Sequence, residues 1–562
     1  MATNLPPPPG SVRPALQPST AAALERARAL RTQFQQTSRA QAFSFNVQRL
    51  TGVVPSEPAS LAPTIAPRPA VSYDENQKEL IAAPEPVVIG EAVAGAGKTT
   101  TAIGFAAARP KERFLYMSFG RENAAEAKRR FGPNVSALTQ HGLAYRVVGH
   151  KYKERLVDNW RPRDIAEALA VDNRIAGCIG RTLNAFYSSI DTEISESHLA
   201  SVRSWGLSQA EEGFVLEHAR AAWRKIIAPG STLPVTPNVY LKQWSMQDPK
   251  LEYDYIILDE AQDTNPLIES IVMAQLGHAK LLAIGDRHQS IYGFRGATNA
   301  MQNLRAIDGS RVVTMPRTWR FGQRTADLAN TLLQNLKGES ISIIGMGKDT
   351  GWGRQSTLLT RTNAGLFDEA FARNGRGLHW VGGVRNYNIE LILDAYHLWA
   401  RSPSKVKQPF MKRFRSWGEF LDYGEASRDS ETRMLIRVVE RYEDKIPQLV
   451  DQVIRNEVPD ASHAELVLTT AHKSKGMEYD CVRIGNDFEF LFEAEAEICE
   501  TGELSAETEQ EVNLLYVGIT RARGMCQLND ETALWLKELP KLQAERMRAL
   551  EILNNAHTRP AA

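Results

Sequence analysis

Cysteine is scarce in this chain, with four in 562 residues. Cys178, Cys481, Cys499 and Cys526 are scattered, and no two stand at metal-ligand or redox spacing. That argues against a zinc site or a disulfide framework and for free thiols in a reducing compartment. No apolar run is long enough to cross a bilayer, and the N-terminus lacks the charged-then-apolar plan of a secretory leader. The expected location is therefore the cytoplasm, at the nucleoid, or the nucleus if the cell is eukaryotic, with no membrane partner. An excess of one charge is missing too: Lys and Arg number 67, Asp and Glu 66, for a net charge of +1. Such balance neither announces nor excludes a nucleic-acid partner, because a protein can confine its cations to one groove. What is present is a globular composition, 43% hydrophobic and 24% charged, on a chain too long for one core.

Residues 1–70 are rich in Pro, Ala and Ser and read as a flexible tail. Order is expected from Tyr73. Val87–Ala92, Phe114–Phe119, Tyr255–Leu258 and Leu281–Ile284 are short, nearly continuous apolar runs, the pattern of parallel strands buried on both faces. Thr357–Leu359, Leu466–Thr469 and Cys481–Ile484 repeat it. The spacing predicts an α/β protein of two lobes with parallel sheets, each lobe carrying a helical insertion. The first lobe spans 71–145 and 246–310 around an insertion at 146–245. The second spans 311–384 and 463–540 around a shorter one at 385–462, with a C-terminal helix or tail at 541–562.

Ala92-Val93-Ala94-Gly95-Ala96-Gly97-Lys98-Thr99 follows a strand and opens a helix. Backbone N–H groups of Ala94, Gly95, Ala96 and Gly97, with Thr100 just beyond, can turn around phosphate oxygens at the positive end of that helix. Lys98 would bridge the β- and γ-phosphates of ATP, and the Thr99 hydroxyl would bind Mg2+. The strict pattern asks for Gly where Ala92 stands. Farther on, Leu258-Asp259-Glu260 places two carboxylates where a buried strand emerges. Asp259 can hold Mg2+ and Glu260 can polarise the attacking water, since phosphoryl transfer depends on positioning and charge neutralisation. An acidic turn after a strand is common; paired with a Gly-Lys-Thr turn it is specific.

At these residues the sequence resembles a superfamily 1 helicase of the UvrD/Rep type, and within that group the helicase portion of the F-box DNA helicases. The resemblance runs from about Tyr73 to about Leu536, without an F-box. It implies two RecA-like P-loop NTPase lobes and 3′→5′ movement on single-stranded DNA. By the same resemblance Gln77 reads adenine, and Gln289 in Gly285–Ala297 senses the γ-phosphate, with Tyr292, Phe294 and Arg295 facing the strand. Trp319 stacks on adenine, and Arg320 and Arg521 reach the γ-phosphate from the second lobe. Glu478 would hold the ribose, while His472 and Lys475 would hold the DNA backbone. Phe119, Thr139 and His141 match first-lobe DNA contacts, and Arg361 and Asn363 second-lobe ones.

Plainer readings stand beside these. A Trp or Phe next to Arg is commonly a packed surface pair, and His141 and His472 taken singly read as structural. Order and joint presence outweigh that reading for the motif residues. They do not for Lys128-Arg129-Arg130 or Lys412-Arg413-Phe414-Arg415, which read as solvated faces. Arg287 stands where relatives have a small residue or proline, and could meet DNA or solvent. The Glu-rich stretch Glu489–Glu511 is expected to be an exposed loop. The expected function is ATP-dependent translocation and unwinding in DNA repair, recombination or replication, on single strands and their junctions with duplex. Three other readings compete: a motor that strips recombinase filaments or other proteins, aided by a loading protein; a nucleotide-switched binding module; and an RNA motor.

Overall fold

The computed structural model describes residues 72–557 except 119, 158–159, 161, 204–206, 294–299, 409 and 427–429. The expected tail, 1–70, lies outside the described residues.

The first lobe is built on β1 (Val87–Ala92), β2 (Phe114–Ser118), β3 (Val135–Thr139), β4 (Tyr255–Asp259), β5 (Lys280–Gly285) and β6 (Arg311–Met315). They form one parallel sheet in the order β3-β2-β4-β5-β1-β6. Every residue of β1, β2 and β4 is buried, which is why these strands read as unbroken apolar runs. Phe114 and Tyr255 stack across neighbouring strands at 4.8 Å, with Phe105 edge-on to both. Sequence reasoning missed the two edge strands, which are less completely buried than the central ones. Because Val88–Ala92 pairs with Arg311–Met315, the first lobe's sheet runs past the expected boundary at 310.

A parallel ribbon of β7 (Arg317–Thr318) and β8 (Ile344–Gly345) leads into the second lobe. There β9 (Ser356–Thr360), β10 (Leu378–Trp380), β11 (Leu466–Thr470), β12 (Tyr479–Ile484) and β13 (Ala522–Gln527) form a parallel sheet in the order β10-β11-β9-β12-β13. The chain thus folds as two RecA-like lobes.

Both insertions are helical. In the first, Asp172 caps the helix Asn173–Ser188, and Ser208 with Glu211 forms a capping box on Gln209–Ile227. Phe186 meets Trp223 edge-on at 5.3 Å in a core continuous with Ile89, Leu115 and Ile256 of the first sheet, so this insertion shares the lobe's core. The second insertion packs Leu435, Val438 and Leu449 with Trp380 and Leu468 of the second sheet.

Glu489–Glu511 is not an exposed loop. It forms the helix Leu491–Thr501 and begins the helix Ala506–Ile519. Leu491, Phe492, Glu495, Ile498 and Cys499 recur at helical spacing and are buried, leaving Glu500 outside. Trp535 Nε1 donates to Glu495 Oε1 at 2.9 Å, and Arg546 reaches both carboxylate oxygens at 2.7 and 2.6 Å. Those partners lie on the helix Asp530–His557, which continues through Pro540 and across the expected break at 541.

Candidate nucleotide cleft and strand-binding face

Val93–Gly97 turns between β1 and the helix Lys98–Ala107, with Gly95 and Gly97 at φ of 75° and 76°. Only glycine adopts that backbone freely. A Cβ on Gly95 would also lie 2.5 Å from Thr318 Oγ1 and 2.5 Å from the Arg320 Cβ. Ala92 is the last residue of β1, in register with Met315, so its methyl fits where the strict pattern has glycine.

The acidic pair stands at the end of β4. Thr99 Oγ1 donates to Asp259 Oδ2 at 3.4 Å, and the Tyr116 hydroxyl donates to the same oxygen. Glu260 sits at φ 52°, ψ 45°, a left-handed conformation that is uncommon outside glycine. Its Oε1 lies 3.3 Å from Lys98 Nζ, and its Oε2 accepts from Gln262 Nε2 at 2.6 Å. Burial raises Asp259, and the Glu260 charge raises it further. Burial acts upward on Glu260 as well, but Lys98 and Lys475 hold it below the ordinary carboxylate value. For Lys98 burial acts downward and is outweighed by Glu260, Asp286 and Asp259, so the ammonium is retained. The Thr99 hydroxyl and Asp259 carboxylate are hard oxygen donors on one spot. Among the described residues no group of three or more His, Cys, Asp or Glu could form a metal cage. Two oxygens suit Mg2+ that takes its other ligands from phosphate and water.

From the second lobe, Arg521 Nη2 donates to Gln289 Oε1 at 3.2 Å, and Gln289 Nε2 donates to Asp286 Oδ2 at 2.7 Å. Arg521 is fully buried, and burial with the neighbouring Arg320 pushes it down to about 9. Arg320 Nε donates to Glu478 Oε1 at 2.8 Å and Nη1 to the Thr520 carbonyl at 3.2 Å. Glu478, expected at the ribose, is thus the partner of Arg320. Trp319 is 43% exposed, and its backbone N–H donates to the Gly95 carbonyl at 3.1 Å, which holds the residue beside the turn. Gln77 is buried in a capping box with Asp74, and its Nε2 donates to the Ala96 carbonyl at 3.2 Å. Thr100 Oγ1 accepts from Arg130 Nη2 at 3.1 Å, so the run Lys128–Arg130 is not wholly solvated. Sequence reasoning missed Tyr516, whose hydroxyl accepts from Ala94 N at 3.2 Å and donates to Asp286 Oδ2 at 3.1 Å. Its only signal was its place in the motif that carries Arg521.

Phe119, Phe294 and Arg295 lie outside the described residues. Tyr292, Arg361, His472 and Lys475 line one cleft of about 540 Å³ between the lobes, with Lys473 and Glu511. Lys475 pairs with Asp263, donates to the Gln289 carbonyl at 2.6 Å and lies 4.9 Å from the Tyr292 ring centre. Glu511 holds Arg361 in a fork, at 2.7 Å to Nε and 2.7 Å to Nη2. Asn363 starts the helix Asn363–Ala372 and gives its N–H to Glu431 at 2.9 Å, away from that cleft's lining. Thr139 caps the helix Gln140–Val147, and His141 Nε2 lies 2.9 Å from Asn238 Oδ1; both line a separate pocket. Arg287 pairs with Glu339. No helix among the described residues is long and apolar enough to cross a membrane.

Residues 181–306 match the model of the UvrD/REP helicase N-terminal domain, and residues 409–528 that of the UvrD-like helicase C-terminal domain. The chain is similar to F-box DNA helicase 1 of Gallus gallus, 30% identical over 83% of this chain and 49% of the relative. It is also similar to F-box DNA helicase protein 1 of Schizosaccharomyces pombe, 30% identical over 80% of this chain and 56% of the relative. ATP-dependent DNA helicase UvrD2 of Mycobacterium bovis is 24% identical over 82% of this chain and 79% of its own. The chain spans about half the length of the two F-box relatives. With the phosphate turn, the acidic pair and the two arginines gathered in one cleft, these matches show that the chain carries UvrD-like helicase N- and C-terminal domains.

Proposed function

We propose that the protein is an ATP-driven motor that moves 3′→5′ along single-stranded DNA and separates strands at junctions with duplex. One observation carries the reading: beside the catalytic pair, Gln289 of the first lobe accepts from an arginine of the far lobe. Lys98 meets Glu260 on one side, Asp286 meets Gln289, and Gln289 meets Arg521 on the other. A γ-phosphate seated there would face cations from both lobes, so hydrolysis would alter the force holding the lobes together. Lys98 would bind phosphate and Glu260 would orient water and take its proton. Arg320 and Arg521 would neutralise charge in the transition state, and Trp319 and Gln77 would hold the adenine. Mg2+ on Thr99 and Asp259 would supply neutralisation of the phosphate oxygens. Tyr292 and Phe294 would stack on bases of any sequence, while Arg295, Arg361, His472 and Lys475 hold phosphates, with Thr139, His141 and Asn363 farther along.

The names of the relatives support DNA as the polymer, and the helicase motifs support repair, recombination or replication as the setting, in the nucleoid or a nucleus. ATPase rates with single-stranded DNA, RNA and no polymer test the motor; 3′- and 5′-tailed duplexes then test polarity. Equal rates in all three conditions would exclude a DNA-driven motor. A forked duplex set beside a recombinase filament measures whether unwinding or clearance dominates.

A further inference from the structure

The pocket that Thr139 and His141 border has a volume of about 320 Å³, in the angle between the first lobe and its insertion. Its lining contains no Lys, Arg, Asp or Glu, so it suits neither a phosphate nor a cation. Three lining residues each bury a polar atom that has no hydrogen-bond partner: Trp160 Nε1, Tyr187 OH and Thr236 Oγ1. Unpaired buried groups of this kind carry their full desolvation penalty until something binds them. Thr236 is the clearest case. It stands at the N-cap of the helix Pro237–Ser245, where a threonine hydroxyl ordinarily caps, yet it makes no capping bond.

A glycine forms part of the wall, where two helices pack closely. Gly180 lies inside the helix Asn173–Ser188, where glycine is less favourable than alanine. It lines the pocket, and a Cβ there would come 3.0 Å from Ile165 Cδ1. The walls are therefore largely aromatic and aliphatic, and apart from His141 the polar groups are uncharged donors and acceptors. That combination fits a flat heteroaromatic ring with a hydrogen-bonding edge. The volume lies at the small end of ligand pockets, roughly 300–1,000 Å³, which suits one ring rather than two.

We propose that this pocket receives one nucleobase of the bound single strand, turned out of the stack and read at its edge by Trp160, Tyr187 and Thr236. The inference rests on the DNA-motor reading, because Thr139 and His141 at the rim are where that reading places the strand. One base held in a pocket would act as a register mark on a strand otherwise held without regard to sequence.

The test uses the full chain and an oligothymidylate of about twelve nucleotides, with a single abasic residue walked along it. One position should weaken binding about tenfold, the magnitude of a single base contact, and the others much less. Gly180→Leu, which fills the pocket, should abolish that position dependence while leaving binding of the fully abasic strand unchanged. Tyr187→Phe and Thr236→Val, which change little volume, should reduce it, so the idea stays testable if Gly180→Leu fails to fold. An equal penalty at every position, or a position-specific penalty that survives all three variants, overturns the pocket. Free thymidine that competes as well as the strand does would overturn the strand as its source. Failure of the unaltered chain to bind any single strand at low salt would instead overturn the motor reading itself.

Discussion

The hydroxyl of Tyr516, in the second lobe, accepts a hydrogen bond from the backbone N–H of Ala94 in the phosphate turn at 3.2 Å. The same hydroxyl donates to Asp286 Oδ2 at 3.1 Å, and Asp286 accepts from Gln289. One oxygen thus joins the phosphate turn, the segment carrying Gln289, and the helix that ends just before Arg521.

Tyr516→Phe keeps the ring against His288 and removes both bonds. Each bond is worth about 1 kcal/mol, so DNA-stimulated ATP turnover should fall about thirtyfold with nucleotide affinity nearly unchanged. Steady-state ATPase beside nucleotide titration checks this, and unaltered turnover would remove Tyr516 from the coupling path.

Glu260→Gln should retain nucleotide and lose turnover by about a thousandfold, the scale of a lost general base. Lys98→Ala should lose binding and turnover together. Single-turnover hydrolysis with pre-bound nucleotide separates the two. Normal chemistry in the Glu260 variant would reassign the base.

Glu511 occupies the Arg361 guanidinium that a strand phosphate would otherwise meet. Glu511→Gln should tighten single-strand binding and steepen its salt dependence by about 0.7 in the log–log slope, one phosphate's share. Affinities across a salt series measure both. An unchanged slope would mean that Arg361 does not reach the strand.

His288 is held well below the ordinary histidine value of 6.5 by burial, with Lys337 and Arg287 adding to the effect. Glu339 lies 3.7 Å from its Nε2 but is already taken by Arg287. The folded protein keeps this imidazole neutral while the unfolded chain protonates below 6.5. Its contribution is therefore intact above that pH and is lost as pH falls toward the folded value. His288→Gln should flatten the acid limb of stability by up to about 1.4 kcal/mol per pH unit, read from urea unfolding across that range.

Glu495→Ala would leave Arg546 unpaired where its side chain is only 13% exposed, a loss of about 3 kcal/mol. Chemical denaturation checks it, and a change under 1 kcal/mol, roughly a surface pair's worth, would show that this contact is peripheral.

Lys98, Thr99, Asp259 and Glu260 were legible in the sequence because each sits in a short contiguous pattern whose chemistry is local. Tyr516 was not, since its partner Ala94 is 422 residues away and nothing in either segment encodes the other. Glu511 on Arg361, 150 residues apart, was hidden for the same reason. The edge strands β3 and β6 lack the unbroken apolar run that marked the central ones. In Glu489–Glu511 the number of acids masked the helical recurrence of Leu491, Phe492, Ile498 and Cys499. Arg361 and Lys475 carry the charge a DNA contact needs, but the sequence did not reveal the carboxylates already holding them.

The pairing order of the first sheet has a consequence for synthesis. The strand Val87–Ala92, buried at all six residues, lies between Lys280–Gly285 and Arg311–Met315 in the sheet. While the ribosome is still making the intervening stretch, that strand and the turn behind it have no edge to join. The nascent chain must therefore hold an apolar segment unmatched for some two hundred residues of elongation, the circumstance in which chaperones guard against premature association.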